Sequence, residues 1–155
     1  MERGSNLAKF AEADFYYGAV LSKLIHEKIC PVLIDGNRDR QVYEFATNDG
    51  DFRLFVKYRS TPNSTQKDGY NSNDLKELKQ YIKDAKHLSV GLVCGNQQLN
   101  ESEYAVLHKE DIEELFIADK RSFTISRMAH EKAFRLFVED GSRGNARKIP
   151  SNRLY

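Results

Sequence analysis

Residues 41–59, QVYEFATNDGDFRLFVKYR, carry acids and bases at a spacing that a sheet would gather onto one face. The tract reads as a β-hairpin with Asp49-Gly50 as its two-residue turn, because a type I′ turn needs positive φ at both central positions and Gly adopts it freely. In that register Asn48 faces Asp51, Ala46 faces Arg53, Glu44 faces Phe55 and Val42 faces Lys57. Side chains alternate along a strand, so Tyr43, Phe45, Phe52, Leu54, Val56 and Tyr58 form an apolar face, while Glu44, Asp51, Arg53, Lys57 and Arg59 share the other with Phe55. Glu44 then lies diagonal to both Arg53 and Lys57, within reach of long side chains.

Such a face permits several chemistries. Carboxylate oxygens suit Mg²⁺, and a lysine beside them could orient the attacking water or stabilise charge at a phosphodiester. The candidate catalytic set is Glu44, Lys57 and Asp35, with Mg²⁺ needed under this reading alone and no other cofactor expected. Asp51 is a poorer second acid, roughly 20 Å from Lys57 at ~3.4 Å per residue. Alternatively Arg53, Lys57 and Arg59 could hold an anionic partner, or the face could be a solvated surface whose cross-strand pairs contribute only about 0.2–1 kcal/mol each.

A second basic group lies in the segment 141–155, where Arg143, Arg147, Lys148 and Arg153 are candidates for binding phosphates and Tyr155 for stacking on a base. Against display, Ile149 and Leu154 read as anchors that dock this segment on the fold. The four histidines, His26, His87, His108 and His130, make no zinc-binding spacing, and no nucleophile elbow, Walker loop or dinucleotide fingerprint occurs. His26 and His87 suit structural roles near helix C-termini.

The elements that must position these residues follow from periodicity. Leu7, Phe10, Ala11, Phe15, Gly18, Leu21, Leu24 and Ile25 predict a helix over 6–28, stopped by Pro31. CPVLID predicts a short buried strand, the first of a three-strand antiparallel meander with the hairpin. The tract 60–73 is rich in turn formers and reads as a long polar, mobile loop. Ser72 or Asn71 caps a helix with the stripe Leu75, Leu78, Ile82 and Ala85. LSVGLVC is a central strand buried on both faces, Tyr104–Leu107 another strand and Lys109–Phe116 a short helix with acids in its first turn. Ser122–Ser126, Ala133–Val138 and a piece near Lys148–Pro150 complete a mixed α+β arrangement, with Asp140-Gly141 turning the chain before the last piece.

With 155 residues the chain fits a single domain able to bury a core. Its 24 basic and 23 acidic residues leave a formal charge of +1, so a global field of the nucleic-acid-coating kind is excluded and only local patches could bind phosphate. Cys30 and Cys94 sit in apolar contexts and read as small buried hydrophobes in a reducing cytoplasm. The stretch MERGSNLAKF holds no apolar leader, no tract approaches the ~20 apolar residues of a membrane span, and the sequons at Asn63 and Asn100 read as plain polar loop residues.

The order helix, three-strand meander, helix, strand resembles the core of the PD-(D/E)XK, or restriction-endonuclease-like, superfamily. That resemblance implies a divalent metal held by an acid near the second strand and an acid two positions before a lysine on the third. Lys57 in FVKYR matches the lysine, and Phe55 stands where the acid would be. The phrases FVKYRS, VGLVCG and SFTISR also look like segments of a small uncharacterised bacterial protein family, a likeness that brings no activity with it. The resulting expectation is a binding or accessory module, in its most specific form a degenerate nuclease-like fold contacting nucleic acid. The alternatives are an active Mg²⁺-dependent nuclease and an immunity- or antitoxin-like domain with a protein partner.

Overall fold

The computed structural model describes residues 8–36, 40–60, 65–69, 72–84, 87–120, 122–128, 130–138 and 146–155. Arg143 and the Asp140-Gly141 turn lie outside the described residues. Among the described ones, the order is α1 (Glu12–His26), β1 (Val32–Gly36), β2 (Gln41–Thr47), β3 (Gly50–Arg59), β4 (Thr65–Gly69), α2 (Ser72–Asp84), β5 (His87–Cys94), β6 (Glu103–His108), α3 (Lys109–Ile117), β7 (Ser122–Ser126), β8 (Ala133–Leu136) and β9 (Arg147–Pro150). The first sheet runs β1-β2-β3-β5-β6, antiparallel throughout except for the parallel pair β3–β5. A parallel neighbour needs a long crossover, which β4 and α2 supply. The second sheet runs β4-β7-β8-β9.

Alternation along the strands splits the core in two. Tyr43, Phe45, Leu54, Val56 and Val93 point to one face, where Tyr16, Tyr17, Val20 and Leu24 of α1 cover them. Val42, Phe55, Leu88, Val90, Leu92, Ala105 and Leu107 point to the other, against Leu78 of α2, Ile112 and Leu115 of α3, and Ile125, Phe134, Leu136 and Ile149 of the second sheet. β5 is thus buried on both faces, as its unbroken apolar run predicts. Each fully buried side chain of this size contributes on the order of 1.5–3 kcal/mol.

Several elements depart from expectation for local reasons. α1 spans Glu12–His26 rather than 6–28, with residues 8–11 non-helical; at its end Lys28 adopts φ 66°, and the Ile29 and Lys28 amides donate to the carbonyls of Leu24 and Ile25. This Schellman-type stop is followed by Ile29 packing in the same cluster as Leu24. The inward stripe is Tyr16, Tyr17, Val20 and Leu24, while Phe15 and Ile25 face outward. β1 is an exposed edge strand rather than a buried one, because α1 reaches only as far as β2, and Cys30 beside it is exposed too. Cys94 is half-buried, and burial pushes its thiol up to about 12. The tract 60–73 holds β4, paired antiparallel with β7. Its sequence TQKDG has no apolar alternation to signal a strand; backbone pairing at a sheet edge makes it one.

The hairpin turns one residue earlier than expected. Asn48 and Asp49 keep negative φ, Gly50 alone takes φ 121°, and the Asp49 amide donates to Thr47 Oγ1 at 3.1 Å. A connection with a single positive-φ glycine after two ordinary turn residues spares Asp49 the left-handed conformation that a type I′ turn would impose. Thr47 therefore faces Gly50, Glu44 faces Arg53 and Val42 faces Phe55. The pairing slips by two residues, an even number, so the division of side chains between faces is unchanged.

Candidate functional site

The middle of the hairpin's charged face lies against the second layer, while Asp51 and Arg59 at its ends stay exposed. Phe55 is fully buried at its centre, and Lys57, level with Leu92 of β5, is 5% exposed. Arg40 runs under α2 as a buried fork: Nη1 and Nη2 donate to the two oxygens of Glu77 at 2.5 and 2.9 Å, Nη2 also reaches Asp35 at 2.8 Å, and the guanidinium sits 5.4 Å from the Phe55 ring centre. One residue thereby ties β1, β2 and α2 together. Arg53 donates from Nε to Glu44 at 2.5 Å and lies 4.6 Å from the ring centre of Tyr81.

Of the candidate catalytic residues, the corrected register gathers none around a shared point. Glu44 is opposite Arg53 rather than Phe55, which leaves Lys57 four residues farther along β3, roughly 13 Å at ~3.3 Å per residue. Asp35 pairs with Val42 in the ladder, and its carboxylate is held by Arg40. No group of three potential metal ligands occurs among the described residues. Arg59 is exposed at the end of β3, where its carbonyl accepts the Gly95 amide at 2.6 Å. Arg40 was not among the residues singled out from sequence, because its partner Glu77 lies on α2 and nothing local marks the pair.

Of the candidate phosphate-binding arginines of the C-terminal segment, Arg147 and Arg153 are both engaged by an acid of the chain, Arg147 from an exposed position. Asp111, 2% exposed in the first turn of α3, accepts from Arg147 Nε at 2.5 Å, from Arg153 Nη1 at 2.8 Å and from the His108 amide at 2.8 Å. Burial raises the Asp111 pKa, but hydrogen bonds from Arg147, the His108 amide and Arg153 outweigh it and hold the carboxyl below its usual value. Ile149 is buried and Leu154 packs on the core, as anchors should. Tyr155 lies edge-on to Phe45 and Phe52 at 5.2 and 5.0 Å rather than free to stack on a base, and Phe52 stacks on His87 at 4.4 Å. His87 opens β5 instead of ending a helix, and its Nε2 meets the Asp49 carbonyl. His26 caps the last turn of α1 through the Ser22 carbonyl, as expected. Lys148 lies on the surface beside the exposed Arg147.

Among the described residues, concave surfaces and a sheet edge are open to partners. A cleft of about 760 Å³ lies between the last turns of α1, the start of β6 and residues 151–154, with Lys23, His26, Glu27, Arg127 and Arg153 along it. A smaller apolar pocket of about 360 Å³ adjoins it beneath α1 and shares Lys23, Ser102, Glu103 and Tyr104. Along the outer edge of the first sheet, β1 displays Val32, Leu33 and Ile34 at 62, 52 and 41% exposure. Sequence reasoning missed all of these, since an apolar strand reads the same whether it is central or at an edge. No helix among the described residues is long and apolar enough to cross a membrane. Comparison with protein-family models, curated proteins and solved structures finds no match to this chain.

Proposed function

We propose that this chain is a non-catalytic binding module that takes a partner polypeptide along the outer edge of β1. The observation that carries the reading is three consecutive large apolar residues, Val32, Leu33 and Ile34, exposed on an edge strand. Protein edges are ordinarily blunted by lysine, proline, bulges or a covering element, because unpaired N–H and C=O groups beside apolar side chains invite strand addition. Here Pro31 precedes the strand and its pairing with β2 is irregular between Leu33 and Asp35, yet the three residues carry no charge and stay exposed. Added main-chain hydrogen bonds would supply affinity, and side chains alternating about the edge would supply selectivity.

Charge pairing supports this reading over the nuclease alternative. Catalysis by Glu44, Asp35 and Lys57 requires carboxylates available to a metal, and each acid is already bound to an arginine. Phosphate binding by Arg53, Arg147 and Arg153 is disfavoured likewise, since each is paired with an acid of the chain. A reducing, cytoplasmic setting agrees with an exposed Cys30 thiol next to this edge.

Selection from a displayed library of extended six- to eight-residue segments tests the reading. Binders should protect β1 amides from hydrogen exchange and lose binding when Leu33→Lys and Ile34→Lys are introduced. Selected binders that ignore both substitutions would overturn it. So would Mg²⁺-dependent cleavage of DNA or RNA by the purified protein, stopped by EDTA and eliminated separately by Glu44→Gln and Lys57→Ala in folded variants.

A further inference from the structure

We infer that the apolar pocket beneath α1 binds a small monocarboxylate with an apolar body, its carboxylate paired with Lys23. At about 360 Å³ the pocket falls within the ~300–1,000 Å³ range of small-molecule sites. Its walls include Phe15, Tyr16, Val20, Val93 and Leu99, so most of what it offers is contact and water exclusion. Phe15 and Leu99 are about half exposed, at 49 and 51%, and burying them under a ligand body removes apolar surface from water, which is favourable.

Charge fixes the class. Two ionisable side chains of opposite sign line the pocket, Lys23 and Glu103. Glu103 is engaged by the Arg127 guanidinium, which is in turn anchored on the Glu131 and Met128 carbonyls. Lys23 makes no ion pair with any described residue and lines the larger cleft as well, so its ammonium stands where the apolar pocket opens into polar space. An apolar body seated on Val20, Val93 and Leu99 would carry an anionic head to that ammonium. A neutral ligand of the same body gains no ion pair, and a cationic one meets a like charge.

The test is a nitrogen-15 NMR titration of the full chain with decanoate, below its micellar concentration, beside decanol and decyltrimethylammonium. Saturable shifts are expected at the amides of Val20, Val93 and Leu99 to Tyr104 with decanoate. Lys23→Gln should weaken binding about five- to tenfold, as loss of a partly shielded ion pair predicts, and Leu99→Asp more than that. Both residues are exposed, and the spectrum of each free variant verifies its fold. The inference is overturned if decanoate leaves these amides unmoved, if decanol or the ammonium binds as tightly, if Lys23→Gln binds decanoate like the wild type, or if the shifts centre on Val32 to Ile34 instead.

Discussion

Asp111 and Arg153, 42 residues apart in sequence, meet at 2.8 Å, and the same guanidinium nitrogen also donates to the Val106 carbonyl at 3.2 Å. The contact makes the C-terminal segment a structural strap across β6 and α3. Asp111→Asn should therefore destabilise the protein by about 1–3 kcal/mol, because it removes the charge that accepts from the partly exposed guanidiniums of Arg147 and Arg153. Chemical denaturation measures the loss, and hydrogen exchange should rise first at residues 147–155. A loss below about 1 kcal/mol would show that the strap is held by Ile149 and the Tyr155 ring contacts instead.

Acid should release the same strap. The Asp111 pKa is depressed in the folded state, so its contribution is present above the unfolded value of about 3.9 and is lost as pH falls through the folded value. Stability contributed by this site should hold level from pH 7 to about pH 5 and decline below about pH 4. Comparing wild type with Asp111→Asn across that range isolates the site: the difference between them should shrink in acid, and a constant difference would refute the assignment.

Gly91 lies beneath the Tyr104 ring, whose hydroxyl donates to the Leu154 carbonyl at 3.1 Å. A Cβ at position 91 would stand 2.5 Å from the Tyr104 hydroxyl oxygen and 2.8 Å from the ring edge. Gly91→Ala should cost about 1–3 kcal/mol through overpacking and loosen Leu154 and Tyr155. At Gly95 the Cβ would meet the Arg59 carbonyl at 2.7 Å and the Tyr16 ring at 2.6 Å, so relief requires backbone movement. Gly95→Ala should accordingly be the more damaging of the two by thermal denaturation.

Arg40→Lys tests the fork beneath α2. An ammonium cannot reproduce donation to both Glu77 oxygens together with Asp35, nor the planar contact with Phe55. We expect a loss of about 1–3 kcal/mol, with exchange rising in α2 before β5. Equal stability would mean that apolar packing of Leu78 alone seats the helix.

The amphipathic α2 stripe, the buried run of β5 and the acid-first α3 were legible because each pattern is local: periodicity and first-turn charge need no knowledge of neighbours. The division of the hairpin's side chains between faces was legible for the same reason, since it depends only on alternation. Its pairing was not, because Asp49-Gly50 fits two turn geometries and the choice rests on where positive φ is least costly. β4 escaped notice because a polar strand exists only when another strand lies beside it.

Sequence by itself determined the α+β class, the apolar face of the hairpin, the burial of β5 on both sides and the docking of Ile149 and Leu154, all consequences of where apolar residues recur. Tertiary structure decided what the charges do. Asp35, Arg147 and Arg153 looked like parts of a reactive face and a basic arm, and α2 and α3 change that by bringing Glu77 to the Arg40 that holds Asp35 and Asp111 to Arg147 and Arg153, whereas the Glu44–Arg53 pair forms within the hairpin itself. The exposure of Val32, Leu33 and Ile34 was likewise a decision of the assembled sheet, for a strand becomes an edge only once its neighbours are placed.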